Sequence, residues 1–75
     1  MLDKLLRVTA HEVIHVLERY GFFLSRQSGS HKIYLNAQGC RVTVPYHGKK
    51  ILHPKVFKSI IRDSKISIDV FRGNV

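Results

Sequence analysis

Val13, Ile14, Val16, Leu17 and Tyr20 recur at three- and four-residue spacing and predict a helix with one buried stripe. Its start is marked by Thr9-Ala10-His11-Glu12, a capping box in which the Thr9 hydroxyl accepts from the Glu12 N–H and the Glu12 carboxylate reaches back to Thr9. Gly21 supplies a left-handed stop after about Tyr20. The pattern then shifts toward strands. Phe22 to Gln27 reads as a first strand, Ser28-Gly29-Ser30 as a turn, and His31 to Leu35 as a second strand. Asn36-Ala37-Gln38-Gly39 predicts a hairpin turn, Cys40 to Val44 a third strand, and Pro45 the end of its pairing. His47-Gly48-Lys49-Lys50 is a basic loop. Pro54 opens a second helix with Val56, Phe57, Ile60 and Ile61 as its stripe, and Ser67 caps a short last turn, Ile68 to Phe71. The first eight residues read as a lead-in. The order predicts an α+β fold, α-β-β-β-α, with a three-stranded antiparallel sheet packed on two helices and its other face free.

At 75 residues one domain is expected, spanning residues 1–75 and too small for a deep multidomain cleft. The single cysteine, Cys40, excludes an intrachain disulfide and a four-cysteine zinc cluster. A small fold without such staples fits a reducing compartment, so the cytoplasm is expected. No run reaches the ~20 apolar residues of a membrane span, and the N-terminus lacks a signal-peptide core, so no membrane partner is expected. Charge adds more. Thirteen Lys and Arg against five Asp and Glu give +8, which points to a polyanionic partner, either nucleic acid or an acidic protein. The plainer reading is that this charge serves only solubility.

His11-Glu12-Val13-Ile14-His15 matches the H-E-x-x-H pattern of zinc proteases, in which two histidines one helical turn apart hold the metal and Glu is the general base. Three features oppose that use. The extended pattern would place Gly and His where this chain has Glu18 and Gly21. The two histidines lie opposite the apolar stripe and face solvent, and Glu12 is already committed as a cap. The expectation is a solvated pair, with no metal and no cofactor.

Gly29-Ser30-His31-Lys32-Ile33-Tyr34, then Arg41-Val42-Thr43-Val44-Pro45, Tyr46-His47-Gly48-Lys49-Lys50 and Phe57-Lys58-Ser59-Ile60-Ile61-Arg62, in this order, resemble the HicA (YcfA-like) family of bacterial toxins. The resemblance covers about Thr9 to Phe71. It implies a double-stranded-RNA-binding-domain-like fold, the role of mRNA interferase in a toxin–antitoxin module that inhibits translation and growth, and neutralisation by a HicB-like antitoxin. It implies His31 as the catalytic histidine. The chain departs from the family's usual pattern at the second helix, where Lys55 and Val56 replace Gly-Thr and Lys65 replaces a following Gly.

The residues alone give His31 a role by a separate route. RNA cleavage without metal needs a base to take the proton of a ribose 2′-OH, whose oxygen then attacks the adjacent phosphate. Imidazole suits this, since its ordinary pKa of about 6.5 leaves much of it neutral at pH 7. Nearby Arg26, Lys32 or Arg41 would disfavour the charged imidazole and keep it competent. Cationic groups also stabilise the charge building on the phosphorane, and Lys49, Lys50, Lys55, Lys58 and Arg62 are candidate phosphate contacts. Against this, strand alternation gives His31 the parity of Ile33 and Leu35, which look buried, so a satisfied core histidine is the competing reading. His47 is a candidate acid with nothing local to support it. Tyr34 and Tyr46 read as packing at the sheet edge rather than as stacking platforms. Asp3, Glu12, Glu18, Asp63 and Asp69 are too scattered for a metal-dependent nuclease. The alternative functions are a non-catalytic double-stranded-RNA-binding module and a basic protein whose only partner is an acidic protein.

Overall fold

The computed structural model describes residues 7–74. Most of the lead-in therefore lies outside the described residues. Its last part is tied down, because Leu52 N–H donates to the Val8 carbonyl at 2.8 Å and Thr9 bridges to Ile51. The elements are α1 Ala10–Arg19, β1 Phe23–Ser28, β2 His31–Leu35, β3 Arg41–Pro45, α2 Pro54–Ser64 and α3 Ile68–Asn74.

The capping box forms as expected. Glu12 N–H donates to Thr9 Oγ1 at 3.2 Å and Thr9 N–H donates to Glu12 Oε1 at 2.9 Å. Val13, Ile14, Val16 and Leu17 are buried, but Tyr20 is half exposed, because α1 ends at Arg19 and Tyr20 is its C-cap, turned out of the helical stripe. At α2, Pro54 takes a first-turn position, and His53 caps it by accepting the Lys55 N–H on Nδ1 at 3.0 Å. Lys65 closes α2 with φ of 63°, in the left-handed region. The predicted last turn is longer than Ile68 to Phe71 and continues as α3. Its Phe71 meets Phe57 edge-to-face, ring centroids 5.3 Å apart.

The sheet order is β1-β2-β3, antiparallel throughout, as two successive short turns require. β1 and β3 each begin and end one residue later than the pattern suggested, so Pro45 is the last residue of β3 rather than its terminator. The fold is the predicted double-stranded-RNA-binding-domain-like α-β-β-β-α arrangement, with one added short helix. Tyr34, Val42 and Val44 join Val13, Leu17, Phe57, Ile60 and Phe71 in a single core. Ile33 is buried but stands apart from that cluster. Directly paired residues share a face, so Lys32, Tyr34, Val42 and Val44 face the helices. His31, Ile33, Leu35, Arg41, Thr43 and Pro45 face away.

Candidate nucleic-acid interface

His31 opens β2 immediately after the Gly29-Ser30 turn, where Gly29 adopts φ of 59° at no steric cost. It pairs with Ser28 on β1 and Pro45 on β3, and its side chain is exposed. The competing core reading is thereby corrected. His31 does share the parity of Ile33 and Leu35, but that face is the one the helices leave uncovered.

Two of the predicted cationic neighbours join it there. Arg26 pairs with Ile33 and Arg41 with Leu35, so both guanidinium groups belong to His31's face. They line a hollow of about 260 Å³ with Ser25, Ile33 and Leu35. β1 carries a bulge between Leu24 and Arg26, which leaves Ser25 without a partner on β2. At about 3.3 Å per residue, Arg26 stands roughly 7 Å along the sheet from His31 and Arg41 roughly 13 Å. Thr43, exposed opposite Ile33, adds a hydroxyl to this face; its place between two buried valines was legible from alternation, but its nearness to His31 needed the register.

Lys32 does not belong with them. It points to the helix side, with Nζ 4.1 Å from the centroid of the Tyr46 ring, a cation–π contact. Lys49 and Lys50 are exposed on the loop that leaves β3 beside His31. Tyr46 N–H anchors that loop by donating to the Ser30 carbonyl at 2.6 Å. Lys58 and Arg62 are exposed one turn apart on α2, in the helical layer behind the sheet. Arg62 Nε contacts Asp63 Oδ1 at 3.1 Å. The basic residues thus divide between the bare face, the β3–α2 loop and the α2 surface.

Tyr34 is buried under the helices, and burial pushes its phenol above the ordinary value, helped by the charge of Glu18 and by Tyr46. His11 and His15 are exposed on α1. Among the described residues no three His, Cys, Asp or Glu side chains gather into a group able to hold a metal. No helix among the described residues is long and apolar enough to cross a membrane.

No curated protein matches the chain. The family model described as "HicA toxin of bacterial toxin-antitoxin" matches residues 10–66, which run from the first residue of α1 to just beyond the left-handed Lys65 and include His31, the whole sheet and α2. With most of its length so matched, on the helix–sheet–helix frame that the resemblance implied, the chain belongs to the HicA toxin family of bacterial toxin–antitoxin systems, with an antitoxin as its partner.

Proposed function

We propose that this toxin is a metal-independent endoribonuclease, an mRNA interferase, in which His31 is the general base. The observation that carries the reading is the position of His31. It is an exposed imidazole at a sheet end, on the uncovered face of a chain with net charge +8, with Arg26 and Arg41 on the same face. Neutral His31 takes the 2′-OH proton and the freed oxygen bonds to phosphorus. The 5′-oxygen of the next nucleotide then leaves and takes up a proton, so the products are a 2′,3′-cyclic phosphate and a 5′-hydroxyl. Arg26, the nearer cation, stabilises charge on the phosphorane oxygens, and Arg41 holds the strand farther along. Lys49 and Lys50, on the loop beside His31, contribute phosphate contacts, and Lys32 acts indirectly by fixing Tyr46. Lys58 and Arg62 can do so only for RNA that extends round to the α2 surface. The substrate is mRNA, cut in the cytoplasm, and the neutralising partner is a HicB-like protein.

The test is RNA cleavage in EDTA by the wild type and by His31→Ala. Positioned acid–base catalysis contributes about 10²–10⁴-fold, so the variant should lose at least about 100-fold in rate and no longer arrest growth. An undiminished rate in His31→Ala removes the assignment. Binding without cutting by the wild type makes the chain a double-stranded-RNA-binding module instead.

A further inference from the structure

A second concavity lies around the β3 edge from His31. It has a volume of about 570 Å³ and is walled by Thr9, His11, Glu12, Tyr46, Gly48 and Lys49, where the first turn of α1 meets the β3–α2 loop. That is within the usual range of small-ligand sites, about 300–1,000 Å³. Tyr46 gives it an aromatic wall. One face of the ring is covered by the Lys32 ammonium, which lies over it and does not line the cleft, and the backbone is held by the bond to Ser30. Glu12 gives it an acceptor. Its Oε1 is engaged by the Thr9 N–H, which fixes the carboxylate in place and leaves Oε2 for a donor. Lys49 and His11 stand at its walls and are exposed.

We infer that this cleft is a base-recognition subsite for the RNA, taking a nucleobase close to the cut phosphate. The inference rests on the reading of the chain as an endoribonuclease and extends it to sequence preference. Pro45 lies opposite His31 and Tyr46 follows it. Paired strand residues are about 5 Å apart and consecutive Cα atoms about 3.8 Å, so one RNA segment crossing the β3 edge reaches both. The base stacks on the face of Tyr46 opposite Lys32, a contact open to any base. Glu12 adds selection. Adenine, cytosine and guanine carry an exocyclic amine that donates to Oε2, whereas the one ring N–H of uracil is flanked by two carbonyl oxygens that the carboxylate repels. Lys49 offsets the repulsion between Glu12 and the RNA backbone.

The experiment uses the full chain and labelled pentanucleotides of A, C or U built with 2′-O-methyl ribose, which lack the attacking hydroxyl and report binding alone. Wild type is expected to bind the A and C probes about tenfold more tightly than the U probe, as one charge-assisted hydrogen bond allows. Tyr46→Ala should lower affinity for all three by about 5- to 100-fold, while Tyr46→Phe, which keeps the ring, should not. Glu12→Gln retains the capping box and should narrow the preference over U. Equal affinity for the three probes, or a Tyr46→Ala protein that folds and binds like wild type, overturns the subsite. Cutting of a 2′-O-methyl probe overturns the catalytic reading instead and leaves the binding comparison to decide the subsite.

Discussion

Parity decides what each side chain of β2 can do. Alternation correctly grouped His31 with Ile33 and Leu35, but hydrophobicity alone assigned that group to the wrong side. The misleading residue is Ile33, which is 7% exposed although it lies outside the helix-packed core; Tyr34 and the stem of Lys32 take the inward positions. An amphipathic lysine whose head rests on an aromatic ring looks polar in sequence and packs as an apolar residue. Tyr34 carries a measurable consequence of its inward position. Its raised pKa means that the fold favours the neutral phenol. The folded chain therefore holds a proton that the unfolded chain releases, and stability falls with rising pH in that interval. Stability from this group should be intact below about pH 10, the ordinary tyrosine value, and be lost as pH climbs through the raised one. Denaturant unfolding between pH 8 and pH 11 should show this decline, and Tyr34→Phe should flatten it. A variant with the wild-type slope would assign the decline elsewhere.

Elements were legible wherever a local chemical signal ended them. Thr9 and Glu12 fixed the start of α1, and Pro54 the start of α2. The His53 cap was not legible, since an imidazole acceptor is outside the usual set of Ser, Thr, Asp and Asn. Nor was the β1 bulge, which depends on reconciling the turn end of the strand with the end leaving α1. Lys65 is the informative departure from the family pattern. The usual glycine is replaced, yet the backbone keeps the left-handed conformation that glycine favours, with φ of 63°. A residue with a Cβ costs about 1–2 kcal/mol there. Lys65→Gly should therefore raise the unfolding free energy by about 0.5–1 kcal/mol, the remainder being offset by the freedom glycine adds to the unfolded chain. Chemical denaturation at neutral pH measures it, and a loss of stability would mean that the lysine side chain makes a compensating contact.

For the whole molecule, net charge of +8 suggested a polyanion, but only the fold showed how the cations divide. Arg26 and Arg41 share the side of His31, and Lys58 and Arg62 lie on the helical layer. Each single-stranded phosphate contact changes the slope of log affinity against log salt by about 0.7. Joint replacement of Arg26 and Arg41 by alanine should make that slope shallower by about 1.4 in RNA titrations between 50 and 200 mM salt, roughly the physiological range. An unaltered slope would take the RNA off this side of the sheet. Because, among the described residues, helices roof one side of the sheet and leave the other bare, that part of the molecule resembles a sandwich missing a slice. On the proposed reading, a protein that supplies the missing slice displaces the transcript and shields the imidazole in the same act. On that reading silencing requires no change of shape in the toxin.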